Sequence, residues 1–515
     1  MLVQENSPWY RSLPALLLAS VLLPPLGLIL LWSNPKADKQ AKLVGSLCIA
    51  LLGAGYLYLF IGTGFTSGMF VRNPEADAHY SALERHRAQQ REAAPGAAPE
   101  AAAPAVEPVA DKVEAAPAVA GNAAPAAAKS SPAVWTDFRG PGRAGLYSGG
   151  DIRTEWPSEG LPALWRQPSG GGHASFVIGD GLAFTIEQRR RQEVVAAYAL
   201  QNGREMWTHA WDAEFVESTG DGPRATPTLD ENRLYALGAK GDLRCLQAKS
   251  GKLIWSRNIL SDNQAQNLQW GMAASPLVVD DKVIVCPGGT SGRSVVAYNK
   301  MTGEPIWRSL NDRASYTSPM LVTLGGVRHI LVVSETRMLG LSPDNGSLLW
   351  EHPWSNSSGI NCSQPIVIGD NRVFISSGYG KGAAVVELSR ADKGFTSRTV
   401  WENVSMKNKF NPSVYHDGHV YGLDEGILTC LDVSNGERKW KAGRYGYGQV
   451  LLASGHLIVT TDKGEVVLVK ATPEKHVEVA KFQAIEGKTW NYPAIADGRL
   501  LVRNATEMAC YNLAN

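Results

Sequence analysis

The sequence predicts an all-β fold, an eight-bladed β-propeller of four-stranded antiparallel blades whose ring is closed by an N-terminal strand. Ahead of the propeller it predicts an α-helical transmembrane hairpin and a disordered linker. Three observations carry this prediction: two apolar runs near the N-terminus, an Ala/Pro-rich run, and a motif that then recurs to the C-terminus. The 515 residues include 52 glycines and 15 tryptophans, which is typical of a turn-rich β protein with a recurring aromatic motif.

The N-terminal region is predicted to form the membrane hairpin. After a short tail at 1–12, uncharged apolar runs at 13–32 and 43–62 form transmembrane helices 1 and 2, because each has the roughly 20 residues that cross a bilayer. The loop at 33–42 carries Lys36, Lys39 and Lys42, so the positive-inside rule places it in the cytoplasm. A cleaved signal peptide is the alternative for the first run.

Two polar stretches separate the hairpin from the rest of the chain. Residues 63–92 are a juxtamembrane segment whose second half, from Pro74 to Glu92, has the composition of a short polar helix. Residues 93–133 consist almost wholly of Ala, Pro, Glu and Val. Frequent prolines prevent a continuous helix and there is little large apolar surface to bury, so this stretch is predicted to be a disordered, semi-extended linker.

The region from 134 to 515 carries the repeats that predict the propeller. In five copies a strand, a turn ending in Gly and a second strand lead to a Trp four residues after that Gly, as in AYALQNGREMW and CLQAKSGKLIW. A degenerate copy ends at Trp401 and another near Phe482. The spacing of about 40–50 residues is that of a four-stranded blade. The tryptophans predicted to dock between blades are Trp165, Trp207, Trp255, Trp307, Trp350, Trp401 and Trp440.

The ends of the repeat region predict how the ring closes. Eight β-hairpins with tight turns each precede one strand–turn–strand unit, which gives eight blades. The last unit stops at Asn515, where its turn Gly is expected, and therefore lacks an outer strand. The segment PALWRQP supplies that strand, so Trp165 is predicted to lie opposite the strand around Cys510.

The repeat A-x-(D/N)-x-x-(T/S/N)-G-x-x-x-W resembles the tryptophan-docking repeat of pyrroloquinoline-quinone-type (PQQ-like) propellers, the quinoprotein alcohol dehydrogenase-like superfamily. Segments such as WGMAASPLVVDDKVIVCPGG are similar to its bacterial members. The resemblance implies the propeller fold and leaves two functions open. The family contains PQQ-dependent dehydrogenases, and it contains non-enzymatic scaffolds such as the lipoprotein of the outer-membrane β-barrel assembly machinery.

The sequence lacks the catalytic signs that this resemblance implies for an enzyme. The family's dehydrogenases use an acidic base, a calcium ion held by carboxylate and amide oxygens, and often a disulfide between adjacent cysteines beside the quinone. Here no two cysteines are adjacent, and no Asp/Glu/Asn cluster aligns with the calcium site. We therefore assign no catalytic residue and no metal site, and expect no cofactor; PQQ and calcium belong to the dehydrogenase alternative.

The cysteines and histidines have structural explanations. Cys245, Cys430 and Cys510 share a repeat position that holds Ala or Gly in other blades, which indicates a small buried site. The spacing of Cys286 and Cys362 neither requires nor excludes a disulfide between them. His416 and His419 flank an Asp-Gly turn and are interpreted as a hairpin tip.

One set of residues is predicted to ring a mouth of the central channel, because each lies just before the innermost strand of a blade. Aromatic faces with an Arg and two Asn suit a flat anionic ligand or a peptide. The set is His173, Arg224, Trp270, Tyr316, Asn361, Asn411 and Trp490.

The predicted function is that of a membrane-anchored extracytoplasmic module. It would bind or scaffold envelope proteins or ligands on the periplasmic side of a bacterial inner membrane. The alternative is a PQQ-dependent dehydrogenase that oxidises an alcohol or sugar and passes electrons to the membrane. A formal net charge of +1 argues against nucleic acid as a partner.

Overall fold

A computed structural model describes residues 24–34, 37–62, 74–93, 134–392 and 394–515. The chain divides into two compact units, residues 1–77 and 78–515. In the first unit, helices α1 (Pro24–Trp32) and α2 (Lys39–Gly62) form a hairpin in which the Trp32 indole donates a hydrogen bond to the Ser46 hydroxyl, 3.0 Å away.

The predicted membrane spans lie partly outside the described residues. The first predicted span begins at residue 13, whereas the structure describes the chain from residue 24 onward. The second predicted span, residues 43–62, falls within α2. Of the described helices, none combines the length and apolar character that a membrane span requires. The transmembrane assignment therefore stays a prediction, as does the linker at 93–133, which falls on undescribed residues apart from Ala93.

In the second unit, the elements that precede the blades are α3 (Pro74–Glu92, which enters this unit at Ala78), a single 3₁₀ turn (Pro141–Arg143), β1 (Leu146–Tyr147) and β2 (Ala163–Pro168). The described residues then form eight sheets, each built on four antiparallel blade strands, as predicted. The strands of blades 1 to 4 are β3 (Val177–Gly179), β4 (Leu182–Arg189), β5 (Gln192–Ala199) and β6 (Glu205–Asp212); β7 (Thr228–Asp230), β8 (Arg233–Leu237), β9 (Asp242–Gln247) and β10 (Leu253–Asn258); β11 (Leu277–Val279), β12 (Lys282–Val285), β13 (Val295–Asn299) and β14 (Pro305–Ser309); β15 (Met320–Leu324), β16 (Val327–Val333), β17 (Arg337–Leu341) and β18 (Leu348–Pro353). A short helix, α4 (Ile259–Asp262), follows β10.

The second half of the ring repeats the arrangement. The strands of blades 5 to 8 are β19 (Ile366–Ile368), β20 (Arg372–Ser377), β21 (Gly382–Arg390) and β22 (Phe395–Asn403); β23 (Val414–His416), β24 (His419–Asp424), β25 (Ile427–Asp432) and β26 (Arg438–Arg444); β27 (Gln449–Ala453), β28 (His456–Thr460), β29 (Glu465–Lys470) and β30 (Glu478–Gln483); β31 (Ala494–Ala496), β32 (Arg499–Arg503) and β33 (Glu507–Asn512). The cores lie between neighbouring sheets, where the middle strands are almost continuously buried.

The ring closes through β2, which pairs antiparallel with β33 and completes blade 8 in the order β2-β33-β32-β31. Trp165 lies directly opposite Cys510, so the predicted register is confirmed. The Trp165 indole is 7% exposed and donates a hydrogen bond to the carbonyl of Leu200 in blade 1, 3.0 Å away. The seam between blades 8 and 1 is therefore built from residues of both ends of the repeat region.

The docking tryptophans explain the turn glycines. The Trp165 ring lies over Gly203 of the next blade, where a Cβ atom would come within 2.6 Å of the ring. Gly203 also has φ of +70°, so this position excludes side chains for two reasons. Equivalent ring–glycine contacts and indole-to-carbonyl hydrogen bonds to the next blade occur at Trp207, Trp255, Trp307 and Trp401. Trp440 donates to Thr472 in the same way.

Trp350 departs from this pattern, because its indole donates to His329 within its own blade, 3.1 Å away.

The small residue of each repeat is the cross-strand partner of the tryptophan: Cys245 faces Trp255, and Cys430 faces Trp440. All six cysteines are free, Cys286 and Cys362 included.

One sheet has five strands where the sequence predicts four. β1 adds to the inner edge of blade 7 and pairs parallel with β27, through Leu146 opposite Leu452 and Tyr147 opposite Ala453. The inner strand of a blade leaves one row of backbone groups unpaired, and β1 satisfies part of that row. This strand belongs to a segment whose position is not evident from the sequence.

That segment, residues 135–147, contacts the inner strands of several blades and is called the plug. Trp135, 1% exposed, pairs with Ile178 in blade 1. Arg143 donates to the carbonyls of Ser275 and Pro319, at the starts of the inner strands of blades 3 and 4, at 3.0 and 2.7 Å. Arg139 donates to the carbonyl of Ser413 in blade 6 at 2.6 Å. The plug thus contacts blades on opposite sides of the ring.

Candidate functional site

A cavity of about 310 Å³ occupies the centre of the ring next to the plug. Phe138 of the plug forms part of its wall and packs edge-on against Tyr492, with ring centroids 5.8 Å apart. The cavity is called the funnel. Its other lining residues are His173, Thr219, Arg224, Trp270, Ala273, Ser275, Tyr316, Ser318, Cys362, Tyr379, Lys409, Phe410, Tyr447, Gln449 and Trp490.

A belt of hydrogen bonds holds the inner strands together around the funnel. The backbone N–H of Ser175 donates to the Thr226 hydroxyl, that of Thr226 to Ser275, and that of Ser275 to Ser318, at 2.9, 3.0 and 2.9 Å. Each bond joins one blade to the next. Ser and Thr before the inner strands therefore fix the positions from which the lining residues project.

Five of the seven residues predicted at the channel mouth line the funnel: His173, Arg224, Trp270, Tyr316 and Trp490. The two asparagines do not. Asn361 donates to the carbonyl of Ser334 and accepts from the Ser377 hydroxyl, both at 2.9 Å. Asn411 accepts from the backbone N–H of Lys409 at 3.0 Å.

At each of the two asparagines, the residue that lines the funnel is its immediate neighbour in the sequence. In blade 5 the funnel is lined by Cys362, and in blade 6 by Phe410, each adjacent to the asparagine that the sequence suggests. Because consecutive side chains of an extended chain point in opposite directions, an offset of one residue exchanges a lining side chain for one that faces the protein. The two asparagines brace backbone carbonyls and turns instead.

Three further residues complete one side of the funnel: Tyr379, Lys409 and Tyr447. The Lys409 ammonium lies 3.0 Å from the Tyr447 hydroxyl and 5.6 Å from the centre of the Tyr379 ring. Tyr379 lies in the loop between β20 and β21, and Tyr447 lies in the loop before β27. Neither occupies the repeat position from which the channel-mouth residues were predicted. The sequence feature that could have identified these two tyrosines is the Gly that directly follows each of them.

Arg224 and His173 supply polar groups on the opposite side. The Arg224 guanidinium, 8% exposed, lies 4.6 Å from the centre of the Phe215 ring and 3.8 Å from the Glu217 carboxylate. Burial lowers the pKa of Arg224 to about 10, so it is charged at neutral pH. Burial, reinforced by Arg224 and Lys488, lowers the pKa of His173 to about 3.

The neutral His173 stacks on Trp490 with ring centroids 5.7 Å apart. The Lys488 ammonium lies 3.7 Å from the centre of the Trp490 ring and donates to the carbonyl of Thr219. The described lining of the funnel therefore has aromatic walls, two cations at Arg224 and Lys409, and no Asp or Glu, and the Lys488 ammonium lies beside it on the Trp490 ring.

These residues do not fit the calcium-bound quinone of the family's enzymes. Calcium requires several oxygen ligands, with carboxylates prominent among them. Of the described residues, no group of three or more His, Cys, Asp or Glu is placed to hold a metal ion. The Glu217 carboxylate beside the funnel is engaged by Arg224, and Cys362 is a free thiol. The arrangement can bind an anionic, flat group, but it offers no calcium ligand set.

A ring of eight sheets in which a tryptophan of one blade repeatedly packs on the turn glycine of the next is typical of the PQQ-like β-propellers. A family model described as outer membrane protein assembly factor BamB matches residues 191–442. The described blades form a PQQ-like β-propeller, as the repeat predicted, and the chain is similar to the quinoprotein alcohol dehydrogenase-like proteins.

Known proteins similar to this chain include both functional classes. BamB from Shewanella oneidensis is 24% identical over 291 residues, which cover 47% of this chain and 70% of that protein. Quinoprotein ethanol dehydrogenase from Pseudomonas aeruginosa is 25% identical over 179 residues, 32% of this chain and 28% of the enzyme. The crystal structure of quinohemoprotein alcohol dehydrogenase from Comamonas testosteroni shares the fold with a TM-score of 0.55 at 14% identity, over 75% of this chain and 82% of that one.

Proposed function

We propose that this protein is a binding and scaffold module of the bacterial envelope. Its N-terminal helices anchor it in the inner membrane, and its propeller works on the periplasmic side. The observation that carries the proposal is the funnel: its described lining has aromatic walls, the cations Arg224 and Lys409 and no carboxylate, and the Lys488 ammonium lies on its Trp490 wall. Such a site attracts a negatively charged group and gives a flat group surfaces to stack on.

The plug narrows the kind of ligand. Because Phe138 of the plug forms part of the funnel wall, and Arg139 and Arg143 tie the plug to blades 6 and 3, we expect a ligand to insert one group into the funnel rather than to thread through the ring. This favours an acidic side chain or chain end with a neighbouring flat group, presented by a partner protein. The similarity to BamB, an outer membrane protein assembly factor, supports an envelope protein as that partner.

Site-specific photo-crosslinking in living cells tests the proposal. A photoreactive phenylalanine analogue at Tyr379, in the funnel, should crosslink to a defined envelope protein. The same analogue at Leu253, which is 38% exposed on the outer strand β10, is the control. Combining the Tyr379 probe with Arg224→Met should reduce the crosslink at least tenfold, because the partner's anionic group loses a buried cation. Identical products from both probes, or products insensitive to Arg224→Met, would contradict the proposal.

The relation to quinoprotein ethanol dehydrogenase favours a second candidate, a PQQ-dependent dehydrogenase. Purified protein incubated with PQQ and Ca²⁺ should show no dye-linked alcohol or sugar oxidation above a sample without PQQ, because the funnel lacks a described calcium ligand set. Oxidation that requires both PQQ and Ca²⁺, and that disappears in Trp270→Ala, would establish the enzyme instead. Trp440→Phe, outside the funnel, is the matched aromatic control.

A further inference from the structure

Helix α3 lies against the closure seam of the propeller. From Ala78 onward it belongs to the same compact unit as the blades. Although the helix is strongly polar, Leu83 is 1% exposed and Arg87 is 2% exposed. A long charged side chain is rarely buried unless it is paired, so the burial of Arg87 indicates a specific contact surface.

Arg87 bridges the two blades that meet at the seam. Its guanidinium donates to the carbonyl of Pro168 in β2 at 2.7 Å, and β2 is the outer strand of blade 8. The same group lies 3.3 Å from the carboxylate of Glu205 in β6 and 5.0 Å from the centre of the Tyr198 ring in β5, both in blade 1. One side chain of α3 therefore contacts the first and the last blade together.

Other residues of α3 repeat this bridging. The Gln90 side-chain amide donates to Gln167 in β2 at 2.9 Å, while its carbonyl oxygen accepts from the backbone N–H of Glu205 at 3.4 Å. At the rim of the contact, Glu84 pairs with Arg190 of blade 1 at 2.6 Å. The helix is thus complementary to the seam through charge-assisted and amide hydrogen bonds rather than through apolar area.

The contact also completes a buried charge network. Glu205 pairs with Arg189 at 2.5 Å, and Arg189 pairs with Glu187 at 2.6 Å. Glu187 and Arg503, which lie 3.8 Å apart across the seam, are both fully buried. Arg87 supplies the buried cation at the outer end of this network and the exposed Arg91 lies 3.9 Å from the same carboxylate, so removal of α3 would leave Glu205 without both of these partners.

We propose that the seam carries a helix-binding site whose ligand is residues 78–92 of the same chain, and that this docking holds the propeller to the N-terminal part of the protein. The chain on either side of residues 94–133 is then held on the propeller. This stretch is dispensable for attachment, and only residues 63–73 separate α2 from the docked helix.

Cleavage within residues 94–133 of the full-length protein tests this docking. A protease site is inserted after Gly121, the protein is tagged at the N-terminus and solubilised in detergent, and the cut sample is washed on affinity resin. The propeller fragment should stay on the resin although no peptide bond connects it to the tag. Arg87→Met should release it at least tenfold faster, whereas Arg85→Met, on the same helix but exposed, should behave as wild type.

Two further measurements keep the test decisive. Uncut Arg87→Met protein should keep a cooperative melting transition and native tryptophan fluorescence, which separates lost docking from lost folding. An excess of a synthetic peptide of residues 78–92 should speed release of the cut wild-type propeller, and the same peptide with Arg87→Met should not. The proposal would be overturned if the cut wild-type propeller left the resin as fast as the cut Arg87→Met propeller.

Discussion

Trp165→Ala should destabilise the propeller by about 3–5 kcal/mol, because it removes a buried aromatic ring and leaves a cavity at the seam. The indole is 7% exposed, donates to the carbonyl of Leu200 and covers Gly203 of blade 1. Its loss therefore weakens the one junction at which the first and last blades meet. Thermal unfolding monitored by circular dichroism measures the change.

Leu164→Ala is the matched control, since Leu164 is the adjacent residue of the same strand and is 48% exposed. This variant should melt within a few degrees of wild type. A chain truncated after Thr506 should be at least as damaged as Trp165→Ala, because it lacks β33 and leaves β2 without its partner. Wild-type stability and protease resistance of the truncated chain would show that β2 and β33 do not close the ring.

Glu187→Gln should also cost about 3–5 kcal/mol at pH 7, because it leaves buried cations without their counter-charge. The Glu187 carboxylate is fully buried, pairs with Arg189 at 2.6 Å and accepts from the backbone N–H of Gly170 at 2.9 Å. Arg503 lies on its other side and is fully buried as well. The amide that replaces the carboxylate has the same shape but no charge.

The pH dependence gives this prediction a specific sign. Burial acts to raise the pKa of Glu187, but Arg189, Arg503 and the Gly170 N–H outweigh it and hold the pKa at about 2, below the ordinary 4.5. A lowered pKa contributes stability that is complete above pH 4.5 and is lost as the pH falls toward 2. The difference in melting temperature between wild type and Glu187→Gln should therefore shrink across that range.

The control for this series is Glu231→Gln, whose carboxylate is 70% exposed. It should change stability by less than about 0.5 kcal/mol and show no separate pH dependence. A gap between wild type and Glu187→Gln that stays constant from pH 7 to pH 2 would argue against the buried pairing.

The ring was predictable because its signal is local and repeated. Five blades carry a turn Gly followed four residues later by a Trp, and the unmatched Trp165 strand predicted the closure that the pairing of β2 with β33 confirms. The plug carries no such signal. Residues 135–147 read as an ordinary loop rich in Gly and Arg, and only the assembled ring supplies the carbonyls that Arg139 and Arg143 bind.

The funnel was predictable in part for a similar reason. Arg224 and Tyr316 could be found because they stand at a fixed offset from a recognisable inner strand. Lys409 and Tyr379 could not, because they come together only across blades. The docking of α3 was hidden for the same reason, since a polar helix without an apolar stripe shows no face that must be buried.

The plug also has a consequence for how the protein is made. It precedes the strands of every blade, as does β2, whereas β33, the partner of β2, follows all the other blade strands. During synthesis or export the plug and β2 therefore emerge before the blades and must wait for all of them before the ring can close. Such long-range pairing makes folding slow. Until the last strand arrives, the open edge of β2 is free to pair with other chains, so the most aggregation-prone species is the nearly finished molecule.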